Sequence, residues 1–362
     1  MTESTNPHGT AAHDNEPVNN APSLKTLRES FITPEAHFFN RNHGDIPSVD
    51  PETFRLQVTG AVETPLSLSL QQLRADFPKQ TVLATMTCAG NRRTELHAIS
   101  PIVNEIIWDN SAISNAEWGG VLLRDVLAQA GLTASSGMHI VFEGMDQIEK
   151  DDADFFGASI DIDKALNADV LLAYEMNGEP LTPIRGFPIR VMVPGYIGAR
   201  SVKWLRTIIV QSAPSPNYYQ QKAYKMFAPD VSAETADWAA APMLTDQALN
   251  ALICTPEPET TLSGNTFQVS GFALPQGDHT ITRVELSSDA GHTWTEVSLT
   301  TPAHKHTWCF WAHELTLVPG RYELVVRAYD SGGHTQPPHA AEVWNFKGYM
   351  NNAWHRVVVQ VE

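Results

Sequence analysis

Residues 85–93 read TMTCAGNRR, and this stretch decides how the rest of the chain is interpreted. The alternating segment TVLATMT at residues 81–87 predicts a strand that ends at Cys88. Gly90 and Asn91 favour a turn directly after it, and two arginines follow at once. Neighbouring cations favour the thiolate, which is both a nucleophile and a soft metal ligand. Three hypotheses stay open here: a buried structural cysteine, a cysteine nucleophile with a histidine base, and a metal ligand.

The composition is that of a large acidic globular protein. Its 362 residues predict two domains rather than one core. The formal net charge is −17, with 24 Lys and Arg against 41 Asp and Glu. This balance argues against nucleic-acid binding, which requires a basic face, and any anionic substrate needs a local cluster of cations. No stretch approaches the roughly 20 apolar residues of a membrane-spanning helix, so no membrane span is predicted.

The cysteines and the first residues indicate the compartment. Cys88, Cys254 and Cys309 form no Cys-x-x-Cys pair, which argues against a zinc ribbon or a thioredoxin-type site. An odd, sparse set of cysteines is typical of a reducing compartment. Residues 1–22 are polar and contain no apolar run, so we predict a disordered tail without a secretory signal. We therefore expect a cytoplasmic protein.

Residues 23–235 are predicted to form one domain of mixed strands and helices. Residues 54–62 alternate apolar and polar side chains, which indicates a half-buried strand. Residues 121–130 carry apolar side chains at helical spacing, and Asn177-Gly178 is typical of a tight turn between strands. No regular strand–helix–strand repeat is present, so the sequence predicts an α+β domain rather than a doubly wound one.

Residues 236–362 are predicted to form a second domain that is almost entirely β. It follows an irregular segment, rich in Pro, Ala and Asp, that runs from about residue 214 to 248. Short strands separated by turns, with almost no helical pattern, are typical of an immunoglobulin-like β-sandwich. The predicted strands are 266–272, 281–287, 293–299, 307–317, 321–328, 341–346 and 354–361.

Two further segments combine cations with turn residues. FFNRNHG at residues 38–44 places Arg41 and His43 in a polar loop, and this segment alone is more typical of an ordinary solvated loop than of a binding site. GFPIRVMVPGYIGARSVKW at residues 186–204 places Arg190 on a strand ahead of two glycines and two more cations. Glycines let backbone N–H groups approach a ligand closely, and cations suit phosphate. The glycine spacing fits neither a Walker nor a Rossmann motif, so this is a candidate phosphate-binding loop and no more.

Together these segments resemble the molybdenum-cofactor domain of sulfite oxidases, particularly the plant and bacterial members without a haem domain. The likeness covers about residues 31–360, and no cytochrome b5-like His-Pro-Gly-Gly stretch precedes residue 30. It implies a mixed α/β molybdenum-cofactor domain, then an immunoglobulin-like dimerisation domain, with a molybdenum–molybdopterin cofactor, no haem and a homodimer. The motifs that carry the resemblance are RNHG at 41–44, CAGNRR at 88–93, WGG at 118–120, LLAYEMNGEPL at 171–181, GFPIRV at 186–191, GARSVKWL at 198–205, QKAYKMF at 221–227 and WHRV at 354–357.

The resemblance also implies which residues hold the cofactor. By motif position Cys88 is the thiolate ligand to molybdenum. Asp146 would bind the amino edge of the pterin, although an ordinary loop carboxylate is the alternative. Arg185 stands where the family usually has His, so one contact changes type while a cation is kept. The implied cofactor contacts are Phe39, Asn40, Arg41, Asn42, His43, Asp146, Arg185, Arg190, Ser201, Val202 and Lys203.

For the substrate, the resemblance implies a pocket built from cations and aromatic rings. Arg41 and Arg93 would bind the sulfite oxyanion, Trp108 would form a wall and Tyr174 would donate a hydroxyl group near the metal. Both aromatic residues have a plain alternative as core side chains. Lys347, in WNFKG, stands where the family usually presents Arg, and lysine keeps the charge but loses the planar fork. The implied reaction is oxidation of sulfite to sulfate, with electrons passed to oxygen, a c-type cytochrome or a quinone.

Two alternative functions remain. One is another molybdenum oxidoreductase on the same scaffold, such as a nitrate or sulfoxide reductase. Tyr174 and the cationic Lys347 favour sulfite, whereas an apolar residue at position 347 would favour nitrate. The other is a non-enzymatic binding module built on the sandwich, against which Cys88 and its intact motif argue. Metal analysis combined with an acceptor-dependent sulfite assay separates these possibilities.

Overall fold

The chain forms two domains in succession. A computed structural model describes residues 18–133, 136–148 and 154–362. Over these ranges a mixed α+β domain precedes an immunoglobulin-like β-sandwich, so the predicted fold class is confirmed. No helix within the described ranges has both the length and the apolar character needed to cross a bilayer.

The predicted tail is ordered where it meets the first domain. Residues 1–17 lie outside the described residues. Asn20 and Asn40 form a β-bridge through backbone hydrogen bonds of 2.8 and 3.2 Å, and the side chain of Asn19 accepts a bond from the backbone N–H of Asn42. The prediction of disorder is therefore wrong for the last residues of the tail. Their asparagine side chains, which suggested solvation, pair with the loop at residues 38–44 instead.

The first domain combines short helices with two small sheets. Its helices are α1 (Leu24–Glu29), α2 (Leu70–Asp76), α3 (Arg93–Ile99), α4 (Leu123–Gln129) and α5 (Ile162–Ala165). Its strands are β1 (Leu56–Gly60), β2 (Leu66–Leu68), β3 (Lys79–Thr87), β4 (Ile113–Leu122), β5 (His139–Gln147), β6 (Phe155–Asp161), β7 (Leu171–Met176), β8 (Glu179–Pro180), β9 (Arg190–Met192) and β10 (Leu205–Gln211). One sheet has the order β2-β1-β10-β5-β6, in which β1 and β10 are parallel, and the other has the order β3-β4-β7-β8 with β9 against β7.

Local sequence rules account for several of these elements. The predicted half-buried strand is β1, whose residues Leu56 and Val58 are fully buried. The predicted helix at 121–130 is α4, which buries Val126 and Leu127. Asn177 and Gly178 adopt φ of 53° and 82°, as the tight turn between β7 and β8 requires.

The second domain is a sandwich of two sheets packed face to face. Its strands are β11 (Asn250–Thr255), β12 (Thr260–Leu262), β13 (Thr266–Leu274), β14 (Ile281–Ser287), β15 (Thr295–Glu296), β16 (Ser298–Leu299), β17 (Cys309–Thr316), β18 (Gly320–Asp330) and β19 (His355–Val361). The sheet orders are β11-β13-β17-β16 and β12-β19-β18-β14-β15. Fully buried side chains from both sheets, such as Val269, Trp311, Val284 and Val359, form one core between them.

Two predicted strands of this domain differ from the structure. The predicted strand 293–299 is two short strands, β15 and β16, which belong to different sheets. Residues 341–346 lie partly in a single 3-10 turn, Ala340–Val343, rather than in a strand. The Glu342 side chain accepts a hydrogen bond of 3.0 Å from the backbone N–H of His339, which fixes the start of the turn. This turn leads into the WNFKG segment and aims it at the first domain.

The strand that precedes Cys88 brings the site to the boundary between the domains. After β3 the chain turns sharply, and Arg92 takes a left-handed conformation with φ of 64° before α3 begins. The fully buried guanidinium of Arg92 ion-pairs with Glu95 and donates to Asn250 Oδ1 at 2.8 Å and to the carbonyl oxygen of Ala353 at 2.7 Å. Arg92 therefore joins the two domains, and Arg93 is the arginine of CAGNRR that faces the site.

Candidate functional site

Cys88 lies on a wall shared by two cavities. Its backbone N–H donates to Ala112 and its carbonyl accepts from Asn91, so the turn after β3 holds the thiol in a fixed position. The other two cysteines, Cys254 and Cys309, are buried in the sandwich, and burial raises the pKa of each thiol to about 12. Of the three cysteines only Cys88 lines these cavities.

The smaller of the two, which we call the cation cavity, has a volume of about 70 Å³ and lies inside the first domain. Among the described residues that line it, four are arginine or lysine and one, Asp146, is a carboxylic acid. Most of the predicted cofactor contacts therefore come together around one space. The predicted residues that line it are Phe39, Asn40, Arg41, Asn42, His43, Cys88, Asp146, Arg185, Arg190, Ser201 and Lys203.

Two of its cations are buried and have no acidic partner among the residues that the structure describes. Arg190 donates only to backbone carbonyls, those of Arg185 and Ser201 among them, and to the sulfur of Met86. Burial and the neighbouring Arg185 lower the pKa of Arg190 to about 9. Lys203 donates to Asn42 and to the carbonyl of Ile184, and burial, together with Arg190, lowers its pKa well below the usual value. Such an arrangement is unfavourable unless an anion accompanies it.

Within the described part of the chain, two buried polar atoms in the same cavity have no hydrogen-bond partner. They are Oδ1 of Asp146 and Nδ2 of Asn42. Burial raises the pKa of Asp146 to about 6, against the opposing influence of Lys203 and Arg206. Buried polar groups are normally satisfied, so an orphaned acceptor and an orphaned donor beside uncompensated cations indicate a polar anionic ligand.

Arg185 lines the cavity, but its donors bind other parts of the protein. All five of its N–H groups are used within the protein: Nε donates to the Glu35 carboxylate at 2.9 Å, and the others donate to the carbonyls of Glu35, Phe38 and Phe39 and to the Asn40 side chain. In this arrangement every donor of Arg185 is used by the described residues, so a direct contact with the cofactor, which stays a prediction, requires one of these bonds to be exchanged. Arg185 holds the loop that carries Phe39 and Asn40 in place.

Val202 is placed differently from the prediction. Its side chain is buried in the main core of the first domain, and its carbonyl accepts from the backbone N–H of Val191. The neighbours on either side do line the cavity: Ser201, whose hydroxyl accepts from Val193 at 3.0 Å, and Lys203. Alternating side chains along an extended segment point to opposite faces, which explains why Val202 faces the core.

The larger cavity, which we call the aromatic cleft, has a volume of about 650 Å³ and lies between the domains. Cys88 and Arg41 line both cavities, so the two spaces meet at the thiol. The predicted substrate residues Arg93, Trp108 and Lys347 line the cleft as well. The aromatic residues on its walls are Trp108, Tyr218, Tyr219, Tyr224, Trp238, Trp344, Phe346 and Tyr349.

Two cations of the aromatic cleft, Arg93 and Lys347, have a carboxylate beside them, unlike Arg190 and Lys203 of the cation cavity. Nη2 of Arg93 lies 3.6 Å from Oε2 of Glu105, and Nζ of Lys347 ion-pairs with Oε1 of the same carboxylate. The guanidinium of Arg93 is 5.1 Å from the ring centre of Tyr349. No motif in the sequence contains Glu105. Its pairing depends on the second domain, which brings Lys347 next to it.

Tyr174 does not lie at the site. It lines neither cavity, is buried in the core of the first domain, and carries the Arg74 guanidinium 4.8 Å from its ring centre. The prediction is therefore wrong, because successive side chains of β7 point to opposite faces and Tyr174, like Leu172, packs into the main core of the first domain. The tyrosine that lines both cavities is Tyr224, whose hydroxyl lies 3.0 Å from Nε2 of His43. QKAYKMF at 221–227 contains it, so the signal was present but unassigned.

His43 and Tyr224 are both held in their neutral forms. Burial and the cations Arg41 and Lys203 lower the pKa of His43 well below its usual value. Burial raises the pKa of Tyr224, as it does that of Tyr349, whose ring stacks on Tyr224 at 5.5 Å. The edge between the cavities thus offers a neutral hydroxyl group beside the Cys88 thiol.

Comparison with known proteins gives the same class as this geometry. Residues 43–219 match the family model of the oxidoreductase molybdopterin binding domain, and residues 241–362 match that of the Mo-co oxidoreductase dimerisation domain. A two-domain fold with one cysteine between a cationic cavity and an open cleft is thus that of a molybdopterin-binding oxidoreductase.

Individual relatives narrow this class. The sulfite oxidase of Gallus gallus is 41% identical over 96% of this chain and 77% of that protein, and the sulfite oxidase of Arabidopsis thaliana is 39% identical over 96% and 92%. The chain spans 64% of the length of the mitochondrial sulfite oxidases of Rattus norvegicus and Homo sapiens, to which it is 41% identical. The crystal structure of the sulfane dehydrogenase SoxCD from Paracoccus pantotrophus superposes with a TM-score of 0.82 at 27% identity, over 97% of this chain and 88% of that one. The chain belongs to the sulfite oxidase family of molybdopterin oxidoreductases.

The residues present fit the cofactor of that family. A phosphate-bearing pterin would bring negative charge to Arg190 and Lys203, and hydrogen-bonding edges to the orphaned atoms of Asn42 and Asp146. Cys88 offers the soft sulfur donor at the end of the cavity that opens on the cleft. The charge, the hydrogen-bonding groups and the sulfur donor of the cavity therefore all fit this cofactor.

Proposed function

We propose that this protein oxidises sulfite to sulfate at Cys88 and passes the electrons to an external acceptor, such as oxygen or a c-type cytochrome. The observation that carries the proposal is the position of the Cys88 thiol, which faces a cavity of uncompensated buried cations on one side and a cation-lined cleft on the other. Membership of the sulfite oxidase family supports the choice of sulfite.

The chain divides the work between the two cavities. Arg190, Lys203, Asn42 and Asp146 would hold the cofactor, and Cys88 would provide the thiolate ligand. A bound molybdenum cofactor would supply the oxygen-atom transfer and take up two electrons. The protein supplies position and charge, which is the general role of a protein around a redox cofactor.

On the substrate side, Arg41 and Arg93 neutralise the oxyanion and orient its sulfur towards the thiol end of the cleft. Tyr224 stays protonated because burial raises its pKa. Its hydroxyl group would therefore donate a hydrogen bond to an oxygen of the substrate. The reaction balances as sulfite and water giving sulfate, two protons and two electrons. Open access from the cleft lets water enter and sulfate leave.

The test is metal analysis together with an acceptor-dependent sulfite assay. Protein purified from a host that makes the cofactor is expected to contain about one molybdenum per chain and to reduce an artificial one-electron acceptor when sulfite is added. One tightly bound zinc without molybdenum, or molybdenum-loaded protein that leaves sulfite unchanged, would contradict the proposal.

A homodimer through the second domain belongs to the same proposal. The family model that residues 241–362 match is that of a dimerisation domain, and two-fold pairing is the commonest assembly of soluble chains. Light scattering at micromolar concentration checks this, and a monomer alone would contradict it.

A further inference from the structure

Glu105 lies between the two cations of the aromatic cleft that come from different domains. Its Oε1 pairs with Nζ of Lys347, and its Oε2 is 3.6 Å from Nη2 of Arg93. The Glu105 side chain is 13% exposed and the Lys347 side chain 18%, so the carboxylate lies within the cleft and is not on the outer surface.

Arg93 does not need this carboxylate to keep its position. Its Nε donates to the carbonyl of Gly348 at 3.1 Å, and its Nη1 donates to the carbonyl of Ile106. The remaining nitrogen, Nη2, is the one that faces Glu105. The carboxylate therefore occupies donor capacity on Arg93 and Lys347 that is otherwise available to an anion in the cleft.

A carboxylate offers oxygens and negative charge of the same kind as a sulfur oxyanion. An oxyanion that binds both Arg93 and Lys347 must displace Glu105 or lie beside a like charge, and both are unfavourable. The chain around Glu105 allows displacement, because residues 100–112 form an irregular segment between α3 and β4 and the neighbouring Val103 is 71% exposed.

We propose that Glu105 sets the affinity of the substrate site: it competes with the oxyanion for Arg93 and Lys347 and so weakens the binding of both sulfite and sulfate. The inference rests on the proposed function for the identity of the substrate. Its consequence is a site of moderate affinity that releases a doubly charged product readily, since the carboxylate returns to the cations as sulfate leaves.

The test compares three variants of the molybdenum-loaded enzyme by two measurements. One is the dissociation constant of sulfate, from calorimetry on the oxidised enzyme without turnover, and the other is KM for sulfite. Glu105→Gln keeps the shape of the side chain and removes its charge, so both constants should fall by roughly tenfold. Lys347→Met removes one of the two cations that bind the oxyanion and leaves Glu105 to compete for Arg93 alone, so both constants should rise by more than about tenfold.

The double variant Lys347→Met/Glu105→Gln removes both charges, and its two constants should return to within about threefold of the wild-type values. If either single variant binds too little cofactor to be measured, the double variant still tests the competition, because its constants should stay close to the wild-type values. Glu175→Gln is the matched control: Glu175 is likewise paired with a lysine, Lys79, and is 18% exposed, but it lines neither cavity. This control should leave both constants unchanged.

Each outcome decides a different point. If Glu105→Gln leaves the sulfate constant within twofold of wild type, or raises it, Glu105 does not compete with the oxyanion and the inference is wrong. Wild-type enzyme that fails to oxidise sulfite overturns the proposed function instead, whatever the sulfate constants show. Tighter sulfate binding by Glu105→Gln in such an enzyme would still establish the competition for an oxyanion at this site.

Discussion

The two cavities that meet at Cys88 treat positive charge in opposite ways. In the cation cavity, Arg190 and Lys203 are buried with no carboxylate paired to them among the described residues. In the aromatic cleft, Arg93 and Lys347 share the carboxylate of Glu105. The first arrangement stores a charge imbalance that a permanently bound anion corrects. The second is partly neutralised without a ligand, which suits a substrate that must bind and leave.

This contrast distinguishes a cofactor site from a substrate site by electrostatics alone. A buried charge without a partner is strongly unfavourable, so a ligand of opposite charge is bound tightly. Loss of that ligand destabilises the fold. A charge that already has a partner gains less from a ligand, and the difference sets a weaker, reversible affinity.

The largest effect is expected at the residue that both cavities share. Cys88→Ser should retain cofactor, because the cations that hold it lie elsewhere in the cation cavity, but should lose nearly all turnover, because the thiolate donor is gone. Molybdenum content and sulfite-dependent acceptor reduction measure the two outcomes separately. Full activity of the serine variant would show that Cys88 is only structural, and would remove the link between the cavities.

The second prediction concerns Asp146 in protein without cofactor. Its pKa is raised from the ordinary 3.8 to about 6 by burial, so the fold prefers the protonated form. The stability this group contributes is present below pH 3.8 and is lost as the pH rises through about 6, a loss of up to about 3 kcal/mol. Asp146→Asn should therefore stabilise the cofactor-free protein near pH 8 and have little effect near pH 4.

Chemical denaturation of cofactor-free protein at the two pH values measures this difference. In the loaded enzyme the order should reverse, because the carboxylate of Asp146 then has hydrogen-bond donors to accept from. An asparagine variant that is less stable than wild type at both pH values would show that the carboxylate is satisfied by the protein itself.

The third prediction tests the uncompensated charge directly. Arg190→Met removes a buried cation that a phosphate would pair with, and a hydrogen bond to a charged group contributes about 1.5–3 kcal/mol. Cofactor affinity should fall by roughly 10- to 150-fold. Molybdenum retained after extensive dialysis is the measurement. Lys305→Met, at a lysine that lines neither cavity, is the control and should retain molybdenum as wild type does.

The sequence predicted the cation cavity better than the aromatic cleft, for a physical reason. The motifs at 38–44, 88–93 and 186–204 are each local, and short segments of this kind keep their geometry when strands and turns form. Ten of the eleven predicted cofactor contacts line the cavity, Val202 being the exception. Arg185 shows the limit, because only the structure reveals that its five donors are already used.

The cleft depends instead on contacts between segments far apart in the chain. Glu105 meets Lys347 only after the second domain has docked, and no local pattern encodes that meeting. The role of Arg92 also depends on the second domain. The sequence indicates a second cation beside the thiol, but in the structure the Arg92 guanidinium donates to Asn250 of the sandwich. The β-sandwich followed from its alternating strands, whereas the turn at Ala340–Val343 depended on a side-chain cap that periodicity does not report.

The smallest expected effect is on sulfite turnover and compares two tyrosines. The resemblance assigned Tyr174 to the site, whereas the structure assigns Tyr224. Tyr224→Phe removes a hydroxyl at the junction of the cavities, next to His43, and should lower kcat/KM for sulfite by about tenfold through the loss of one hydrogen bond to a charged oxygen. The effect should appear mainly in kcat, since the bond strengthens as charge develops on the transferred oxygen.

Tyr174→Phe is the matched control for this substitution. Tyr174 packs in the core beneath Arg74 and lines neither cavity, so the loss of its hydroxyl should leave kcat/KM within about twofold. The comparison is informative because both residues are buried tyrosines changed in the same way. If Tyr174→Phe impaired turnover as much as Tyr224→Phe, the loss would not depend on contact with the cleft. Hydroxyl donation would then not be a property of the junction, and its cations alone would have to orient the substrate.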